Sequence, residues 1–286
     1  MRKVLALVLC IGAIPIIFGA GAYAGNAPSG FPVEGERMGL WDDYKKPVAL
    51  TYGAQAKIQA AYLWRGIYAG GANIQGDASV GYGGLYADMW WNIGVTDWRF
   101  KTFQPELDLT IGFDRWGVNV FLLYIHNFDC GFFDFTNYPD KGNRVEINVR
   151  YTLSPKLPIS ILWASRIAGA DSYRNAAGDT IRAFSSYAEI SYTHAFPMGF
   201  SLYGAFGITP WRSCYTFYER NFAVQNVEIR LRKDWSMSEL CGMMVQGQLS
   251  INPSAIAADK TTAEWHPNYP WEQAINANIT FGVYLK

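Results

Sequence analysis

The stretch RVEINVRYTL, residues 144–153, sorts its side chains into two rows. Glu146, Asn148, Arg150 and Thr152 fall on one side of an extended chain. Val145, Ile147, Val149, Tyr151 and Leu153 fall on the other, because side chains alternate along a strand. The same alternation begins near residue 51 and returns to the end of the chain. In TYGAQAKIQAAYLWRG, Tyr52, Ala54, Ala56, Ile58, Ala60, Tyr62 and Trp64 oppose Thr51, Gln55, Lys57, Gln59 and Arg65. IQGDASVGY, LYADMWWNI and ELDLTIGF repeat it, as do the segments near 116–127, 158–168, 184–195 and 200–209. VQNVEIRLR, MVQGQLSIN and INANITFGVYLK close the series. These are twelve segments in all, and no stretch beyond residue 46 carries a helical period of 3.6 residues.

The links between segments alternate in length. Gly83-Gly84, Asp114-Arg115, SPKL (154–157), FPMG (196–199) and KDWSMSEL (233–240) are short. RGIYAGGAN, GVTDWRFKTFQ, NFDCGFFDFTNYPDKGN, AGADSYRNAAGDTIR, TPWRSCYTFYERNFA and NPSAIAADKTTAEWHPNYPW lie between them and are long. A barrel of even strand number in a membrane has short turns at one rim and longer loops at the other. The fold expected is therefore all-β: a 12-stranded antiparallel up-and-down transmembrane β-barrel over residues 47–286. A soluble β-sandwich would also alternate polar and apolar residues. It explains neither the rhythm of link lengths nor the aromatics near strand ends: Tyr52, Tyr62, Trp64, Trp91, Trp116, Tyr151 and Tyr192. Interfacial girdles use such residues.

The first residues fit this reading. Arg2 and Lys3 precede an apolar run from Val4 to Ala20, and Ala22-Tyr23-Ala24 is a small-x-small cleavage pattern. Residues 1–24 are expected to be a signal peptide, and 25–46 an irregular periplasmic leader. A retained anchor is the competing reading; Gly12, Pro15 and Gly19 interrupt the run. The expected destination is the bacterial outer membrane, with both barrel termini periplasmic. The expected partners are outer-membrane lipid around a single barrel and the barrel-assembly machinery during biogenesis.

Composition sharpens the picture. Half the residues are hydrophobic, with 11 Trp, 18 Tyr and 17 Phe, and the formal net charge is zero, so nucleic acid is not indicated. Cys130, Cys214 and Cys241 remain after cleavage; an odd number without a C-x-x-C pair indicates neither a disulfide framework nor zinc. Cys130 and Cys214 both fall in long external loops and are candidates for a bridge. The charges expected to point inward are Lys57, Arg65, Arg150, Arg166, Arg230 and Arg232 against Asp77, Asp88, Glu106, Asp108, Glu146, Glu189 and Glu228. Such near balance has two meanings: ion pairs that plug the lumen, or a polar pathway that selects small solutes. Barrels of about 8 strands are filled and those of about 16–18 are open, and this one lies between. His126, His194 and His266 are scattered, so no catalytic residue, metal or cofactor is assigned. GYGG and AGGAN open no helix and read as turns, not phosphate cradles.

With the strands in place, YLWRGIYAGGANIQGDASVGYGGLYADMWW resembles the opening block of TorF-type outer-membrane proteins, and ELDLTIGF continues the likeness. GITPWRSCYTFY, FAVQNVEIRLRKDWSM, GQLSINPSA and FGVYLK resemble barrel proteins of Bacteroidetes-like bacteria. The resemblance covers most of residues 50–286 and implies an outer-membrane barrel of transporter or porin type. Trp64, Arg65, Gly66, Thr209, Pro210, Trp211 and Ser213 match its recurring stretches without inheriting a role. The function expected is a passive channel for small polar solutes. The alternatives are a plugged structural or surface-display barrel whose aromatic loops bind a partner, and an outer-membrane hydrolase.

Overall fold

The computed structural model describes residues 48–95, 105–137, 142–154, 156–216, 218–256 and 274–285. The expected signal peptide and leader, and His266, lie outside them. The chain forms β1 (Leu50–Gln59), β2 (Tyr62–Trp64), β3 (Ile67–Gly70), β4 (Asn73–Tyr82), β5 (Leu85–Gly94), β6 (Pro105–Arg115), β7 (Val118–His126) and β8 (Arg144–Thr152). There follow β9 (Ile159–Gly169), β10 (Ser172–Arg174), β11 (Thr180–Arg182), β12 (Ser186–Phe196), β13 (Phe200–Thr209), β14 (Ala223–Ser236), β15 (Cys241–Ile251) and β16 (Ile275–Leu285).

Twelve of these close into an antiparallel barrel in the order β1, β4 to β9, β12 to β16 and back to β1; β2–β3 and β10–β11 are separate hairpins. The closing seam runs from Gln55↔Tyr284 to Gln59↔Thr280. Closure pairs the strand backbone without leaving an edge, as the interior of a bilayer demands.

The distribution of side chains is inside-out relative to a soluble protein. Ile58, Ile111, Ile161, Ile190, Ile229 and Ile279 are exposed on the outer face. Asp77, Asn92, Glu146, Asn148, Asn226 and Ser250 are buried within. A β-sandwich would reverse this. Tyr52, Trp91, Tyr151 and Tyr192 share the outer, apolar rows of their strands, each opposite an apolar residue or glycine of the neighbour.

The short rim is built by left-handed turns. Gly83 and Gly84 have φ of 63° and 96°, and Met198 and Gly199 of 63° and 77°. Two-residue hairpins need this geometry to match strand twist. Asp114 and Arg115, expected as a turn, belong to β6; the reversal falls on Trp116 and Gly117, with φ of 58° and 74°. Likewise β14 extends to Ser236, past the expected start of its link. Two registers of the barrel wall are broken by bulges: between Val145 and Glu146 opposite β9, and between Gly207 and Ile208 opposite β14, where Gln225 is the extra residue.

The outward row makes a direct prediction. Ile147 lies at mid-strand on β8 and is 36 % exposed. Ile147→Arg should cost about 2–4 kcal/mol, whereas Tyr151→Arg near the rim should cost roughly 0–1 kcal/mol. Urea titration of folding into lipid vesicles measures both.

Candidate functional site: the lumen and the hairpin that crosses it

β1 leaves the wall at Gln59. The Ala60 amide still reaches Ile279 O at 3.0 Å, and the Ala61 amide reaches Asn278 Oδ1 at 2.9 Å. The chain then turns inward. Tyr62 and Trp64, expected as a continuation of the lipid-facing row, instead belong to β2 inside the barrel, and Arg65 is not on the wall but at the tip of the β2–β3 hairpin. Arg65 and Gly66 make the tip with φ of 49° and 79°. Leu63, Ile67 and Tyr68 are buried. Ile67 packs with Leu162 and Ala164 of β9, Tyr187 of β12 and Tyr215. Around the ring, β9 and β12 stand five or six places from β1 and β4, between which the hairpin is rooted. The hairpin therefore spans the lumen from one wall to the opposite one.

Its tip is latched by charge. Arg65 Nη2 donates to Glu146 Oε1 at 2.7 Å and to Asn148 Oδ1 at 3.1 Å, and Nη1 donates to Glu146 Oε2 at 2.8 Å. The Tyr215 hydroxyl accepts from Arg65 and donates to Glu146 Oε2 at 3.3 Å. The guanidinium also lies 4.7 Å from the Trp64 ring centre and 4.9 Å from that of Tyr187. Glu146 is fully buried. Gly66 abuts the bulged backbone of β14, where a Cβ would collide with the Gln225 carbonyl.

Tyr215 comes from the link after β13, which Pro210 opens after Thr209 ends the strand; Trp211 packs against outward-facing Trp163 with ring centres 5.5 Å apart and donates to Phe184 O at 3.0 Å. Ser213 Oγ accepts from the Tyr215 amide at 3.2 Å, and Ser213 O accepts from the amides of Thr216 and Tyr218 at 3.1 and 2.8 Å. Trp64 and Tyr215 rings stand 5.5 Å apart. The WRG stretch thus makes the latch itself, and Ser213 of TPWRS supports it through the Tyr215 amide.

The remaining charges divide by wall. On β12–β14 each carboxylate has a hydrogen-bond partner. Glu189 accepts from Tyr187 and Tyr203 hydroxyls at 2.5 and 2.7 Å. Glu228 pairs with Arg230 and accepts from Gln248 at 2.9 Å and Asn226 at 3.1 Å. Arg232 bonds Asp234 at 2.8 and 2.7 Å. Arg166 meets Asp171 at 4.0 Å, while Asp171 is held at 2.7 and 2.5 Å by the Ser185 amide and hydroxyl. Arg150 stands opposite inward Asn119. On β4–β6, Glu106 accepts from Tyr62 at 3.3 Å. Both carboxylate oxygens of Asp77, one of Asp88 and one of Asp108 are buried without a hydrogen-bond partner in the protein. Lys57, on β1, shares the inward row with Gln55, which faces Asp77 across the strand pair. Arg144 shares the row of Glu146 and was missed although its spacing marks it. Tyr187, Tyr203 and Tyr215 were also missed as lumen residues, having no charge to draw attention.

Cys130, Cys214 and Cys241 are free thiols, so the bridge considered between the first two is not formed. Cys214 packs against the core inside, where burial raises its thiol pKa. Cys130 lies in the loop after β7. His126, on the outer face of β7, is not a solvated loop residue but is buried and bonded to Asn143 Oδ1 at 2.6 Å. His194 stands near the opposite end, beside Tyr192 and Phe196.

No family model and no curated protein matches the chain. Among solved structures it is similar to the NanC porin at 10 % identity, over 82 % of this chain and 100 % of that one, with a TM-score of 0.44. An anion-selective porin from Comamonas acidovorans shares 8 % identity over 84 % and 99 % of the two chains, TM-score 0.32. A loop-deletion mutant of OmpT, an outer membrane protein of Vibrio cholerae, shares 7 % over 84 % and 99 %, TM-score 0.29.

Removing one member of a buried ion pair costs about 3–5 kcal/mol, whereas replacing both by apolar residues is often neutral. Glu146→Gln or Arg65→Met should each destabilise the barrel by that order, and Arg65→Met/Glu146→Leu should recover most of it. A double-mutant cycle in urea-driven unfolding measures the coupling.

Proposed function

We propose that this chain is a monomeric outer-membrane barrel that passes small polar solutes through a lumen narrowed by the β2–β3 hairpin. The exposed apolar belt supports a lipid environment, and the export pattern of the first residues supports the outer membrane, reached with the barrel-assembly machinery. The resemblance carried by the WRG and TPWRS stretches supports kinship with TorF-type barrels.

The observation that carries the channel reading is the set of buried carboxylate oxygens on Asp77, Asp88 and Asp108 that no protein hydrogen-bond donor meets. An ionised carboxylate without partner or water costs several kcal/mol. A lumen filled solely by side chains would neutralise them, as the β12–β14 wall does for its own charges. These aspartates therefore favour a hydrated passage along β4–β6. The plugged reading has its own support in the hairpin, whose bidentate latch closes much of the cross-section. The two combine in a channel of small conductance at rest.

Planar-bilayer recording tests this. The native protein should give small steps, and replacing residues 61–71 by a short Gly-Ser link should raise step size several-fold. Absence of steps above background from both proteins rejects the channel. Asp77→Asn/Asp88→Asn/Asp108→Asn, which removes three negative charges from one wall, should shift the reversal potential in a salt gradient toward anion preference.

A further inference from the structure

The loop after β7 bends to the outside of the barrel. Tyr124 and His126 alternate with buried Ile125 and share the outward row of Val120 and Leu122. The loop closes over them. Phe132 and Phe135 ring centres lie 5.1 and 5.8 Å from that of Tyr124, and the Tyr124 hydroxyl donates to Phe132 O. Phe128 and Phe132 lie 4.3 and 5.2 Å from His126. Phe133 is 83 % exposed and Phe128 55 %.

This is a held conformation. Asn143, fully buried, donates from Nδ2 to the carbonyls of Gly131, Phe132 and Asp134 at 2.8, 2.9 and 2.9 Å. The loop's charges are directed at its own backbone: Asp129 accepts from the Gly142 amide at 3.2 Å, and Asp134 from that of Thr136 at 3.0 Å. A polar scaffold thus presents four phenylalanines outward. An apolar patch of this kind marks a contact surface, and it joins the lipid-facing row of β7 through the ring contacts of Phe132 and Phe135 with Tyr124 and of Phe128 with His126.

We infer that residues 128–135 form an aromatic shelf that extends the hydrophobic belt at the long-loop rim and seats in the interfacial layer of the lipid. Phenylalanine on a rigid backbone is suited to that layer, which the aromatic girdles of barrels occupy. Continuity with the belt selects lipid as the occupant, in place of a protein partner in the external medium. The inference rests on the transmembrane reading of the barrel.

The test places a nitroxide at Phe133→Cys in a Cys130→Ser/Cys214→Ser/Cys241→Ser background, in phosphatidylcholine–phosphatidylglycerol vesicles. Leu122→Cys reports the belt and Ala177→Cys an exposed loop. The ratio of oxygen to nickel-chelate collision at position 133 should fall below that at mid-belt position 122 and exceed that at 177 several-fold. A ratio equal to that at 177 overturns the shelf while leaving the barrel reading intact. An aqueous ratio at 122 overturns the barrel reading and the shelf with it. Dipolar broadening at 133 that vanishes on dilution with unlabelled protein assigns the surface to a second copy and overturns lipid as occupant. Phe135→Cys provides the same readout if Phe133→Cys does not fold.

Discussion

Closure of the sheet at the β1–β16 seam constrains everything else. A strand edge in hydrocarbon would leave backbone donors and acceptors with neither protein nor water to meet them. Once the ring is closed, the period of two sends every second side chain to lipid and every other one to the lumen. Apolar residues outside satisfy the first demand, and charges inside create the second problem. A twelve-strand ring is wide enough that side chains from facing walls do not automatically meet. The inner charges must find neighbours along their own wall, be reached by something that crosses, or be hydrated.

All three solutions occur. Glu189, Glu228 and Asp234 are met by tyrosine, arginine and amide groups on the same wall. Glu146 is met by a crossing element, and the details explain why it must be arginine at a turn. The fork of the guanidinium matches both carboxylate oxygens while still reaching Asn148. Its flat face meets Trp64 and Tyr187. Glycine follows because only a residue without Cβ fits against the bulged backbone at Gln225. Tyr215, from a different loop, bonds both ions. Two loops that are distant in sequence are thereby tied to one glutamate.

The periodic part of this was legible in the sequence. Strand faces follow from alternation and rim assignment from link length, and both depend only on local spacing. The hairpin was not legible, because Tyr62 and Trp64 keep the parity of β1. Ala60 and Ala61, where the chain turns inward, carry none of the glycine or proline signals of a break. The Arg65-Gly66 pair was the available clue, since glycine at the second position of a two-residue turn often marks a hairpin. Link length also says at which rim a loop lies, not on which side of the wall it folds. Cys130 and Cys214 belong to loops of the same rim, yet one loop covers the outer face of β7 and the other enters the lumen.

The lumen is asymmetric as a consequence. The hairpin touches the acidic wall near its root, through Tyr62 on Glu106 and the Tyr62–Trp90 ring contact at 5.5 Å, and reaches across to the neutralised wall at its tip. Asp77 and Asp108 face Trp90 from either side in one inward row, and Asp88 is two residues nearer the short-turn rim on β5. Charges that are already paired exert only short-range fields, whereas carboxylates with oxygens that no donor meets act on anything that passes them. In the proposed channel, selectivity would therefore be set by β4–β6, and access by the latch on β8. Because the latch and the acidic cluster lie on different strands, the proposed channel could widen without altering the charges on β4–β6.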